Sequence, residues 1–297
     1  MIDMHSHILP GIDDGSYGIE ESINMIKEAY EAGFSDIVST SHYIEESYNA
    51  NKKEREDLIK VLSDRLKEEH IDVNIYNGAE AYIATNMPEL IKEERLPTIN
   101  NSKYLLMELP MNSEILYLEN IIYDLQGNGI IPIIAHPERY SYVQKNPKML
   151  YELIEQGVLF QSNYASIIGK YGREAEKTVK KLLKMDVIHF LGSDTHRSRS
   201  IYTEMELITK KLIKVIGKDK FKALSEENPQ KVLKNENTKK EEPKPTNQEN
   251  YIVKEGNTEW IDVKQESVEV KEKKDTEKNN QDDDILNQIN EYLDNKE

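Results

Sequence analysis

Seven short apolar runs alternate with amphipathic helical stretches along residues 1–234, and no other feature narrows the fold as much. The runs are MIDMH from Met1, DIVST from Asp36, VNIYNG from Val73, YLLMEL from Tyr104, IIPIIA from Ile130, VLFQSN from Val158 and IHFLGS from Ile188. Short β-branched runs of this kind predict strands. The stretches between them, such as IEESINMIKEAYEAG and AEKTVKKLLKM, space their apolar residues as a helix does. Alternating strand and helix builds an α/β fold on a largely parallel sheet. Seven such units in this length predict a barrel rather than an open two-layer sheet.

The residues at the end of each run point to chemistry. The first run leads into His5 and His7, the second into His42, and the third into Glu80. The fourth ends at Glu108, the fifth enters His136, and the seventh enters Asp194 and His196. Five of the seven histidines fall in this set. Carboxyl ends of parallel strands are where α/β folds build active sites, because the loops converge there. His5 and His7 stand two apart on an extended chain, so both imidazoles face one side and can reach one ion. Asp14 comes soon after in an Asp-Asp-Gly that also reads as a turn. His70 lies in a charged run and reads as solvated, and His189 reads as a packed core residue.

His5, His7, Asp14, His42, Glu80, Glu108, His136, Asp194 and His196 make nine nitrogen and oxygen donors. One ion takes about four to six ligands, so nine predict two or three ions with a bridging carboxylate. With no sulfur donor, the set suits manganese, iron or zinc. Arg139 follows His136 by three residues, and Arg197 and Arg199 follow His196. A guanidinium fork beside a metal cluster suits a phosphate, although balancing excess carboxylate charge is the plainer use of such arginines.

Composition removes several classes. There is no cysteine, which excludes disulfides, thiolate metal sites and cysteine-dependent phosphatases. A net charge of −16 disfavours general nucleic-acid binding. No DxDxT motif or P-loop is present. The start, MIDMHSHILP, has no basic leader, and no apolar run reaches the roughly 20 residues of a membrane span, so a soluble cytoplasmic protein is expected. The charge is unevenly spread: residues 235–297 hold 13 apolar side chains against 18 acidic and 10 basic ones. Such a segment cannot bury enough apolar surface to offset its ordering entropy, and it is expected to be a mostly disordered tail. Within it, DDDILNQINEYL predicts a short amphipathic helix that could dock on a partner.

MIDMHSHILPGIDDG, STSH, GAE, the strand ending MEL, IIAHPERY and GSDTH occur in that order. With these blocks residues 1–234 resemble the PHP (polymerase and histidinol phosphatase) superfamily. Within it, AHPERY joined to the opening block is similar to the bacterial manganese-dependent tyrosine-protein phosphatases of the CpsB/YwqE type. The resemblance implies a distorted (β/α)7 barrel with a trinuclear centre, manganese first among the metals. It implies that His5, His7, Glu80 and Asp194 hold one ion, that Glu80 bridges to a second held with Glu108 and His136, and that Asp14, His42 and His196 hold the third. Arg139 matches the phosphate-binding arginine. The second such arginine falls where HRSRSIYTEM is shortened, with Arg199 ahead of Arg197. The implied activity is metal-assisted hydrolysis of phosphotyrosine without a phosphoenzyme, with His42, His196 or Asp14 as proton donors. The implied target is a bacterial tyrosine kinase tail that controls capsule or exopolysaccharide assembly. Rival readings are a histidinol-phosphatase-like enzyme for small phosphomonoesters and a non-catalytic metal-bound scaffold.

Overall fold

The computed structural model describes residues 1–238. Each of the seven expected runs holds a strand, and two further short strands follow the second and third runs, giving nine strand segments among the described residues. These are β1 (Ile2–Ser6), β2 (Asp36–Ser39), β3 (His42–Tyr43), β4 (Asn74–Asn77), β5 (Glu80–Tyr82), β6 (Tyr104–Glu108), β7 (Ile131–Ala135), β8 (Leu159–Asn163) and β9 (Phe190–Gly192). Every ladder between them is parallel. One sheet runs β1-β2-β4 and the other β3-β5-β6-β7-β8-β9. The second and third runs lie in the first sheet, and past each the chain breaks the ladder, at Thr40-Ser41 and Gly78-Ala79, and continues in the second sheet as β3 and β5, which the sequence did not mark as strands. The fold is therefore α/β with parallel strands, as expected.

The breaks free backbone carbonyls that the ladder would have used, and a buried carbonyl without a partner is costly. Arg55 supplies the missing donors. It projects from the helix Lys52–Glu68 and is fully buried. Its Nη1 donates to the carbonyls of Ser41 (2.8 Å) and Gly78 (3.2 Å), Nη2 to that of His42 (2.7 Å), and Nε to that of Ala50 (2.9 Å). That helix starts on an Asn51–Glu54 capping box, which fixes where Arg55 enters. On the other flank the sheets meet again: Asp194 N–H donates to the His5 carbonyl (2.7 Å) and His7 N–H to that of Thr195 (3.0 Å).

Alternation along the strands sorts their side chains into two apolar clusters. Met4, Val38, Tyr104, Leu106, Ile133, Ala135 and Phe190 pack together on one face of the sheets, with Val232 and Leu233 among them. Ile37, Leu105, Met107, Ile134, Phe160 and Leu191 face the helices. Burial on both faces is why the strands read as unbroken apolar runs. The helix Ile19–Glu31 covers this layer with Ile23, Met25, Ile26 and Ala29, and Arg173–Lys184 does so with Ala175, Val179, Leu182 and Leu183.

Past Leu233 the chain stays tied to the body. Tyr104 Oη donates to the Glu236 carbonyl (2.7 Å), and Lys103 N–H donates to Asn235 Oδ1 (3.0 Å). Residues 239–297, including Trp260 and the expected C-terminal helix, lie outside the described residues. Among the described residues, no helix is long and apolar enough to cross a membrane.

Candidate metal centre

The carboxyl ends of the strands bring together all nine predicted donors. β1 delivers His5, and the loop after it His7 and Asp14. β3 opens on His42, β5 opens on Glu80, and β6 closes on Glu108. His136 follows β7, and Asp194 and His196 follow β9. The β1–β2 ladder slips by one residue between Asp3 and Ser6, a bulge within the strand that carries His5. His136 and Asp194 hold left-handed backbone (φ 34° and 54°), an uncommon conformation for side-chain-bearing residues that here recurs at the site. Two glycines permit close approach. A Cβ on Gly192 would lie 2.4 Å from the His5 Cβ, and one on Gly15 would lie 2.3 Å from the His7 carbonyl oxygen.

Glu80 sits at the centre. Its Oε2 lies 3.2 Å from His5 Nε2, 3.3 Å from His7 Nε2 and 3.1 Å from His42 Nδ1, and its Oε1 lies 2.9 Å from His136 Nε2. Glu108 is 3.7 Å from His136 Nε2 and 3.9 Å from His42 Nδ1. Asp194 Oδ1 stands 3.6 Å from His5, 3.5 Å from His7 and 3.6 Å from His196. Asp14 Oδ1 reaches His196 Nε2 at 3.4 Å and His42 Nε2 at 3.7 Å. Three groups have donor atoms close enough to share an ion: His7, Asp14, His42 and His196; His5, His7 and Glu80; and His42, Glu80 and Glu108.

The arrangement fits metal ions better than an ordinary hydrogen-bond network. Glu80 Oε2 is buried among three imidazoles yet makes no hydrogen bond, and His42 Nδ1 and His136 Nδ1 are likewise buried without one. For His5 and His7 the outer nitrogen is committed elsewhere. His5 Nδ1–H donates to Gln161 Oε1 (2.8 Å), and His7 Nδ1–H donates to Asp13 Oδ2 (2.8 Å). That leaves Nε2 of each turned inward, the two Nε2 atoms 3.1 Å apart and both facing Glu80. Outer-nitrogen partners of this sort set the tautomer of metal-binding histidines. The donors are nitrogen and oxygen only, which suits manganese, iron or zinc.

Without a cation, protons balance the charge. Burial and the neighbouring Glu80 charge push the Glu108 carboxyl up to about 8. Burial opposes charge on His5, but Glu80 and Asp194 prevail and raise it to about 8. Glu80 itself is held well below the usual carboxylate range, since His5, His136 and His7 outweigh its burial. Burial and His7 bring His42 down to about 4.

Arg139 lies at the rim, 28% exposed, with Nη1 donating to Asp194 Oδ2 (2.7 Å) and its guanidinium 4.8 Å from the Tyr171 ring centre. Its turn is anchored by buried Glu138, which accepts from Ser162 Oγ (2.9 Å), Ser166 Oγ (2.6 Å) and Asn163 N–H (2.9 Å). Arg197 is engaged with backbone carbonyls and a ring. It donates to the carbonyls of Asp14 (2.7 Å), His196 (2.6 Å) and Gly15, and covers the Tyr17 ring at 3.7 Å. Arg199 is exposed, with its backbone N–H held by Glu28. His70 is exposed, and buried His189 accepts at Nδ1 from Phe160 N–H (3.1 Å).

The supporting residues are ones that sequence reasoning missed. The donor pattern favours Asp14, yet it is Asp13 that bonds His7. Gln161 and Asn163 stand at alternate positions of a buried strand. Gln161 Nε2 donates to Asn163 Oδ1 (3.0 Å), and Asn163 Nδ2 to Asp194 Oδ2 (2.7 Å). Polar residues inside an otherwise apolar run were the available signal.

Known proteins resemble this chain in sequence and in fold. A family model described as capsular polysaccharide synthesis, CpsB/CapC, matches residues 1–234. The chain is 33% identical to the tyrosine-protein phosphatase YwqE of Bacillus subtilis, over 82% of this chain and 96% of that protein. It is also 33% identical to the tyrosine-protein phosphatase CpsB of Streptococcus pneumoniae, over 78% and 98%. A crystal structure from a study of YwqE and CpsB as metal-dependent tyrosine phosphatases superposes with a TM-score of 0.76 at 32% identity, covering 83% of this chain and 99% of its counterpart. With the blocks that line the site falling inside the matched span, the chain belongs to the CpsB/CapC family of capsular polysaccharide synthesis proteins.

Proposed function

We propose that this chain is a metal-dependent protein-tyrosine phosphatase acting on a bacterial tyrosine kinase or a related phosphoprotein in capsule or exopolysaccharide synthesis. The observation that carries the reading is the convergence of nine nitrogen and oxygen donors at the strand ends, with Glu80 Oε2 and His42 Nδ1 buried there without a hydrogen bond and Arg139 at the rim. In this reading the seven βα units form the distorted (β/α)7 barrel of residues 1–234, the protein works in the cytoplasm, and the segment 235–297 recruits a partner.

His5, His7, Glu80 and Asp194 would hold one ion; Glu80, Glu108 and His136 a second; and Asp14, His42 and His196 a third. Manganese is the first choice, with iron or zinc as alternatives. When bound, the ions supply Lewis acidity toward the phosphate oxygens and the attacking water. Arg139 grips the phosphate, its plane set by Asp194 on one side and the Tyr171 ring on the other. Arg199, exposed after His196, is the second phosphate arginine. Arg197 instead straps the Asp14 loop to the His196 loop. His42, His196 or Asp14 would orient the water that hands a proton to the leaving group. A phenolate with pKa of about 10 needs little such help, whereas a serine alkoxide needs more, which favours phosphotyrosine.

The test is phosphate release from a phosphotyrosine peptide and from histidinol phosphate by protein stripped with chelator and refilled with manganese. Metal-dependent turnover favouring the peptide is expected. Preference for histidinol phosphate would refute the protein-phosphatase reading, and bound metal with no turnover of either would leave a scaffold.

A further inference from the structure

Beside the metal centre lies a second feature that the hydrolytic chemistry does not use. A cavity of about 350 Å³ is lined by Tyr82, Ile83, Pro110, Ile115, Leu116 and Tyr117. Nine large apolar side chains are exposed among the described residues, and three of them, Leu116 (100%), Tyr117 (47%) and Tyr82 (39%), line this one cavity. Isolated exposed apolar residues need no explanation, but a cluster that forms a concavity does.

Its walls are continuous with the site. Tyr82 stands two residues after Glu80 on β5 and pairs in register with Glu108. Ile83 N–H donates to the Glu108 carbonyl (3.0 Å). The loop after Glu108 is tied to the turn carrying Arg139: Leu109 N–H donates to Tyr140 Oη (3.0 Å), and Ser141 N–H donates to the Met111 carbonyl (2.9 Å). The ledge is therefore held at a fixed offset from both the Glu108 side of the metal centre and Arg139. Glu114 is the one charged residue lining it, and no lysine or arginine does, so it offers nothing to an acidic group.

We propose that this ledge selects protein substrates by receiving an apolar side chain that flanks the phosphotyrosine. The inference rests on the phosphatase reading above and adds the sequence context of the substrate. An extended peptide with its phosphate between the metals and Arg139 runs its neighbouring residues over the rim. An aliphatic or aromatic one fills the cavity, while an aspartate or glutamate meets Glu114 and is disfavoured.

The experiment compares manganese-loaded full-length protein on phosphotyrosine peptides carrying Leu, Ser or Asp at each flanking position, with free phosphotyrosine as the reference. Binding of non-hydrolysable phosphonate peptides, followed by fluorescence anisotropy, gives a second readout. At one flanking position Leu should exceed Ser by about tenfold in kcat/KM, as expected for partial burial of one side chain. Leu116→Ser and Tyr117→Ser, both at exposed positions, should erase most of that difference through KM and leave free phosphotyrosine turnover unchanged. Turnover of free phosphotyrosine with no preference among peptides, or a preference that survives both substitutions, overturns the ledge alone. Failure to hydrolyse free phosphotyrosine or any peptide overturns the phosphatase reading and this inference with it.

Discussion

Asp13, which no donor count singles out, should control how well the metal centre loads. Its side chain is fully buried. One oxygen accepts from His7 Nδ1–H (2.8 Å) and His42 N–H (2.8 Å), and the other from Gly15 N–H (2.9 Å). One carboxylate thus fixes the tautomer of one predicted ligand, the backbone of a second, and the loop that bears Asp14. In Asp13→Asn the amide NH₂ must face either His7 and His42 or Gly15, so at least one donor meets a donor. Loss of an outer-nitrogen partner typically costs about 10- to 100-fold in metal affinity, or roughly 1.4–2.8 kcal/mol. The unmatched buried donor costs about 1–3 kcal/mol in folding, which for a domain of this size lowers Tm by roughly 2–12 °C. Manganese affinity by chelator competition and a melt of the stripped protein would separate the two effects. The carboxyl is held far below its usual pKa, because His7 and the backbone donors outweigh burial. Its stabilisation is therefore present above pH of about 4 and is lost as the medium is acidified. Wild-type manganese affinity in Asp13→Asn would refute the argument.

Three further outcomes are expected from the same geometry. Glu108 and His5, each raised to about 8, carry protons at pH 7 in the metal-free protein, and loading must displace them. Apparent manganese affinity should therefore rise between pH 6 and 8, and calorimetry in buffers of different ionisation enthalpy should register proton release; a flat profile would contradict it. Arg55→Met removes the side-chain donor from three carbonyls at the sheet breaks and from that of Ala50, and should lower stability by at least about 3 kcal/mol in denaturant titration, with Arg55→Lys only partly restoring it. Arg139→Ala should keep manganese affinity within a few fold of wild type and lower kcat/KM for a phosphotyrosine peptide by roughly 10²–10³, as loss of a charge-stabilising donor does.

Much of the fold was legible because β-strands buried on both faces must be apolar and surface helices must be striped. Those patterns are local, and the seven runs and their helices come from them. The predicted donors were legible for a related reason: histidine or carboxylate just past an apolar strand has few structural uses, and His5-x-His7, Glu80, Glu108, His136 and Asp194-x-His196 all stand there. The features that the sequence could not convey depend on contacts between distant segments. Just past the second and third runs the chain passes from one sheet to the other, and Arg55, on a separate helix, makes those breaks tolerable. The preference for Asp13 over Asp14 at His7, and the diversion of Arg197 onto backbone carbonyls, are settled only when the loops after β1 and β9 meet. Neighbours in sequence share a local conformation, but which nitrogen carries a proton, and where a guanidinium points, is decided by partners that only the folded chain brings within about 3 Å.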